Sequence, residues 1–167
     1  RFESRGLGDV YKRQVSDSSE SSVNSPLTFT SANWDTPQVV TITGVDDDII
    51  DGTINSTITV TIVDAISDNQ FDGVADQTVS VSTTDNDVAG FTVTETEGST
   101  GVDESGTTDI ITVVLNAQPA SDVVITVTSS DTGEATVTSP LTFTSANWDT
   151  PQNVTVTGAD DELVDGT

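Results

Sequence analysis

The stretch "SPLTFTSANWDTPQ" occupies Ser25 to Gln38 and returns letter for letter from Ser139 to Gln152, 114 positions later. An internal period of this kind sets the frame for every local reading. Shifted by 114, Val15 to Thr53 lies over Ser129 to Thr167 with 27 identities in 39 positions. The changes conserve character: Ile42 faces Val156, Asp48 faces Glu162, Ile49 faces Leu163 and Ile50 faces Val164. One repeat unit is therefore present twice, in part.

Upstream the match stops, and "RFESRGLGDVYKRQ" lies over "LNAQPASDVVITVT" with no run of identities. Composition breaks at the same place. All four basic residues, Arg1, Arg5, Lys12 and Arg13, fall within residues 1–14, and from Val15 onward there are 26 acids and no base. The segment has no long apolar core, so it is neither a signal peptide nor a membrane span. It resembles translated adapter sequence, and residues 1–14 are expected to be a non-native tail that contributes nothing to folding.

A formal net charge of -24 excludes nucleic acid and anionic membrane as natural partners, because both demand Lys and Arg, and makes cations the natural partners instead. With no Cys, Met or His, the chain has no thiol or imidazole nucleophile, no zinc ligand of the usual kind and no disulfide. Only carboxylates and hydroxyls remain reactive, and no pair of carboxylates is singled out, so an enzyme is not expected.

Period-two alternation dominates, as in "TITVTIV" (Thr57 to Val63), "TVSVS" (Thr78 to Ser82), "FTVTET" (Phe91 to Thr96) and "NVTVTG" (Asn153 to Gly158). β-branched residues on one face and Thr or Ser on the other describe strands with a wet outer face. From Gly90 one period gives strands A (91–96), B (109–117), C (122–129), D (135–144) and E (152–158). The first copy supplies F (57–63) and G (78–83). Seven short strands in about a hundred residues predict an all-β, immunoglobulin-like antiparallel sandwich. The expected division is 15–87, the C-terminal part of one repeat, and 88–167, the N-terminal part of the next. The "NWDTPQ" corners should join D to E, with Trp34 and Trp148 as apolar plugs at the end of the sandwich.

Alternating strand direction gathers the AB, CD and EF loops and the end of G at one end. These carry "EGSTGVDESGTTD", "SSDTGE", "GADDELVDGT" and "TTDND". Carboxylates so dense, with no base among them, repel one another unless solvated or gathered on a hard cation such as Ca²⁺. At the opposite end the acidic loop is FG, with Asp64, Asp68, Asp72 and Asp76, and "DNQFDG" there fails the EF-hand pattern.

The "LTFTxxNWDxPQxVTVTG" corner, "VDESG", "DDxxxDG" and "DND" together resemble the Calx-beta family, in the form found as tandem repeats of very large bacterial surface proteins. The resemblance spans nearly all of Val15 to Thr167. It implies a calcium site at one end of the sandwich. Carried over residue by residue, the ligands are Glu104 after strand A; Asp131 and its copy Asp17 in the CD loop; Asp160, Asp161 and Asp165, with copies Asp46, Asp47 and Asp51, after strand E; and Asp85 and Asp87 after strand G. Asn86 interrupts the closing acidic run, and Asp stands where the family's EF loop has Glu. The function implied is a calcium-binding spacer in a rod-like extracellular adhesin, partnered by neighbouring repeats of its own chain. The other reading is an accessory domain of a secreted enzyme or receptor.

Overall fold

β-branched residues alternate with Thr and Ser along this chain, and the computed structural model is accordingly all-β, with antiparallel pairing in every sheet. It describes residues 9–24 and 26–162. The chain divides into two compact units. The first holds residues up to Asp47 together with Asp51–Asp85, and the second holds Asp48–Ile50 and everything from Asn86.

In the first unit, β1 (Asp9–Val15), β3 (Leu27–Phe29), β5 (Ile54–Ile62) and β6 (Gln77–Thr83) form one sheet in the order β3-β1-β5-β6. A separate ribbon pairs β2 (Ser21–Val23) with β4 (Ile42–Gly44). Period two is visible in β5, where Ser56 and Ile58 are buried on one side. The Ser56 hydroxyl is satisfied by that of Ser21 at 3.1 Å. The Tyr11 ring meets Phe29 edge-on at 5.4 Å.

In the second unit, β7 (Phe91–Glu95), β8 (Thr108–Leu115), β10 (Ala135–Val137) and β12 (Gln152–Gly158) form a sheet in the order β10-β12-β8-β7. β9 (Val123–Ile125) pairs with β11 (Leu141–Phe143). Its core is Val113, Leu115, Leu141, Phe143 and Val154, with Trp148, Ile111, Val123, Ile125, Val127 and Val137 packed on it.

The sequence period reappears in the pairing. Ser21 opposes Gly44 as Ala135 opposes Gly158, and Tyr11 opposes Leu27 as Ile125 opposes Leu141. Both corners use one device: the Asn33 and Asn147 side chains accept from the Thr30 and Thr144 amides at 2.5 and 2.6 Å. Gln38 and Gln152 donate to the Thr28 and Thr142 carbonyls at 2.7 and 2.8 Å.

Three expectations need correction. Asp9–Gln14, expected to stand outside the fold, belong to β1 and pair with both β3 and β5. Ladder bonds use the backbone, so the segment fits the register of β9 without sharing its side chains. Residues 1–8 lie outside the described residues. Strand D, expected to run unbroken from 135 to 144, is two strands, and β10 and β11 join different partners. Pro140 stands between them, and without an N–H it cannot extend a ladder. Trp34 is 72% exposed rather than a plug. In the second unit, the Trp148 carbonyl accepts from the Leu115 amide of β8 at 3.1 Å, and no strand equivalent to β8 lies among the described residues of the first unit.

A close approach follows from the same difference. A Cβ on Gly158 would lie 2.0 Å from the Asp103 carbonyl oxygen, whereas one on Gly44 would meet only a Thr83 methyl at 3.8 Å. Gly158→Ala should therefore destabilise by about 2 kcal/mol, in the range for overpacking, and Gly44→Ala by much less. Denaturant midpoints of the two variants check this, and equal shifts would contradict the packing of the Asp103 turn.

Candidate metal centre

Glu20 enters the ribbon at the residue before β2. Two hydrogen bonds fix its backbone: its carbonyl accepts from the Val45 amide at 2.9 Å and from the Thr83 hydroxyl at 3.3 Å. Those two bonds tie the loop before β2 to the segments that follow β4 and end β6. They leave Glu20 only 7% exposed. Among the described residues no donor reaches its carboxylate.

What faces that carboxylate is more acid. Glu20, Asp47 and Asp51 each offer an oxygen, and these lie within 4.8 Å of one another. Burial pushes the Glu20 carboxyl above its ordinary value, and repulsion from Asp51, Asp47, Asp17 and Asp85, in that order, pushes it further. Asp85 is placed by the turn after β4: its Oδ2 accepts from the amides of Asp51 at 3.0 Å and Gly52 at 2.8 Å. Gly52 takes φ +78, a conformation glycine adopts freely. Asp17 is held by Ser19, whose hydroxyl and amide both bond Oδ1 and keep its carboxyl below the ordinary value.

The donor set fits a hard cation. Calcium sits about 2.3–2.6 Å from each oxygen ligand, so two oxygens on one ion are separated by at most about 5 Å. Oxygens within 4.8 Å of one another are near enough to share one such ion. Oxygen-only donors with no base among them suit Ca²⁺ or Mg²⁺ over zinc or copper.

Of the residues expected to bind, the structure thus groups Asp47 and Asp51 and sets Asp17 and Asp85 close enough to act on the same carboxylate. Asp46 is outside the group. Asp87 belongs to the second unit. Glu104 is exposed; in its loop the braced acid is Asp103, which accepts from the Ser105 amide and hydroxyl and is lowered by them. Asp131 accepts from the Gly133 amide at 3.0 Å. Glu104, Asp131, Asp160 and Asp161 join no group of three among the described residues, and Asp165 lies outside those residues.

In the other acidic loop, two of the acids accept hydrogen bonds. Asp68 accepts from the Gln70 amide at 3.0 Å and Asp76 from the Thr61 hydroxyl at 2.5 Å.

Sequence reasoning missed Glu20, although a signal was present. Glu20 and Glu134 are identical in the two copies, while their neighbours change from Ser18, Ser19 and Ser21 to Thr132, Gly133 and Ala135. No helix among the described residues is long and apolar enough to cross a membrane. Comparison of the chain with protein-family models, with curated proteins and with solved structures gives no match.

Proposed function

We propose that the chain carries two partial copies of a seven-stranded immunoglobulin-like repeat that binds calcium at one loop end. In this reading the repeat is a spacer of an extracellular bacterial adhesin, stacked with neighbouring copies and stiffened by the ion. The observation that carries it is the buried Glu20, whose carboxylate lies with those of Asp47 and Asp51 in one group of three.

The strand orders support the fold part of the reading. With β7, β8, β10 and β12 as A, B, D and E, the sheet of the second unit is D-E-B-A. With β1, β5 and β6 as C, F and G, and β3 as the second half of D, the large sheet of the first unit is the complementary C-F-G sheet. That division of strands is the one an immunoglobulin-like sandwich would have, one sheet being seen in each unit.

Glu20, Asp47 and Asp51 would hold the ion, with Asp17 and Asp85 at its rim. Bound calcium would supply the positive charge that the loops lack. The residues themselves tie three segments together: the loop before β2, the turn after β4 and the run after β6. The composition suits an exported array, since a near-identical, Cys-free, base-free repeat can stack without disulfides.

Calorimetric titration tests the reading. Calcium should bind with a dissociation constant of about 10⁻⁴ to 10⁻³ M, the range of extracellular modules. Asp47→Asn with Asp51→Asn should abolish the heat. An equal response to magnesium at matched ionic strength, or undiminished heat in the double variant, would remove the site.

A further inference from the structure

We infer that Asp72 is a site of covalent self-modification: its peptide bond to Gly73 closes to a succinimide and reopens as isoaspartate, while the matching peptide at Asp51 and Gly52 is held against the same reaction. The inference goes beyond the calcium reading and does not depend on it.

Asp is followed by Gly three times in the sequence, at residues 51–52, 72–73 and 165–166. The last pair lies outside the described residues. The reaction brings the backbone nitrogen of the second residue onto the carboxyl carbon of the first. A side chain on the second residue crowds that approach, and glycine has none. What separates the two described pairs is how the fold uses their reacting groups.

At Asp51 both groups are engaged. The Gly52 amide donates to Asp85 Oδ2 at 2.8 Å, and the Asp51 amide donates to the same oxygen at 3.0 Å, which fixes the backbone on either side of Asp51. The Asp51 carboxylate is drawn into the group with Glu20 and Asp47.

Asp72 sits in the loop between β5 and β6, two strands that pair with each other up to Val60 opposite Gln77, so the loop is closed by its own hairpin. The Val74 amide donates to the Phe71 carbonyl at 3.0 Å, which makes Asp72 and Gly73 the central residues of a β-turn. That turn's bond leaves the Gly73 amide out. Among the described residues nothing holds the Gly73 amide or the Asp72 carboxylate, whereas Gln70 donates to Asp68 and Thr61 to Asp76 on either side. Asp72 and Gly73 are both exposed, and a Cβ on Gly73 would meet nothing within 4 Å.

The step balances with water alone. The Gly73 nitrogen attacks Cγ of the protonated Asp72 carboxyl, the new N–C bond closes a five-membered ring, and the carboxyl hydroxyl leaves with the amide proton as water. Water then opens the ring. Addition at the side-chain carbonyl restores Asp; addition at the backbone carbonyl leaves the chain running through the side-chain carbon, with one more methylene in the turn and the charge unchanged.

The test ages the full chain in neutral buffer and maps it with endoproteinase Asp-N, which cuts before Asp and not before isoaspartate. Methyl transfer from S-adenosylmethionine by an L-isoaspartyl methyltransferase marks the modified residues independently. With age the cut between Phe71 and Asp72 should fade and the methyl label should appear there, while the cut between Ile50 and Asp51 persists. Gly73→Val, whose side chain enters open space, should keep the cut before Asp72, with circular dichroism to show that it folds. In denaturant, which dissolves the bonds to Asp85, both cuts should fade. If the cut before Asp72 fades in denaturant but persists in the folded chain, the turn protects the peptide and the inference is overturned. It is equally overturned if Asp51 reacts as fast as Asp72 in the folded chain, or if Gly73→Val loses the cut before Asp72 as fast as the parent.

Discussion

Phe143→Ala should remove about 3–5 kcal/mol from the stability of the second unit, the loss expected when a fully enclosed aromatic ring is deleted and the cavity cannot collapse. Phe143 is completely buried, at the centre of the cluster of Val113, Leu115, Leu141 and Val154. Its repeat equivalent Phe29 has a different setting. Phe29 is only half-buried and leans on Tyr11, so Phe29→Ala should cost clearly less. A loss of that size is a large share of the roughly 5–15 kcal/mol that stabilises a typical domain. The second unit of Phe143→Ala should therefore unfold at much lower denaturant. Trp148 packs on this core while Trp34 is exposed, so fluorescence in a Trp34→Phe background follows the second unit alone. Equal midpoint shifts for Phe29→Ala and Phe143→Ala would mean that the two copies are packed alike, against the structure.

That contrast also shows what the sequence makes legible. Alternation located β5, β6, β7, β8 and β12 closely, because strands with one wet face print their period on the chain. The period of 114 aligned the corners well enough to anticipate that Asn33 and Asn147, or Gln38 and Gln152, do the same work. What it could not carry was neighbourhood. Trp34 and Trp148 have identical local sequence and different burial, because burial depends on whether β8 is beside them. β1 was hidden for the opposite reason. Its side chains, with Lys12 and Arg13, read as foreign to the repeat, yet ladder pairing is a backbone property. At the candidate metal centre, Asp47 and Asp51 were legible as a dense acidic run after a strand. Glu20 was not, since one Glu in a Ser-rich loop looks like ordinary surface until Val45 and Thr83 are seen to anchor its carbonyl.

Glu20 decides the last expected result, which concerns stability with and without calcium. Free calcium at about 100 times its dissociation constant should add ~2.7 kcal/mol to the unfolding free energy of the first unit. Magnesium should add less, because it dehydrates reluctantly and demands octahedral geometry. In chelator the sign reverses for Glu20. Its folded carboxyl titrates above the ordinary 4.5, so its contribution is most favourable below that value and is lost as pH rises through the folded one. At neutral pH the buried anion, faced by Asp51 and Asp47, therefore weighs against the fold. Glu20→Gln should be more stable than the parent in chelator at neutral pH, and this advantage should shrink as the pH falls toward 4.5. Asp17 and Asp103 act oppositely: their lowered carboxyls stabilise above the ordinary 3.8, and that contribution is lost on further acidification. In calcium the ranking should invert, since Gln brings no charge to the ion and the parent gains what the variant cannot. Melting curves of both proteins in calcium, magnesium and chelator, at neutral and mildly acid pH, measure every arm of this. Equal calcium gains in the parent and in Glu20→Gln would show that the ion, if bound, does not use this carboxylate; an unchanged melt of the variant in chelator would show that its burial carries no electrostatic cost.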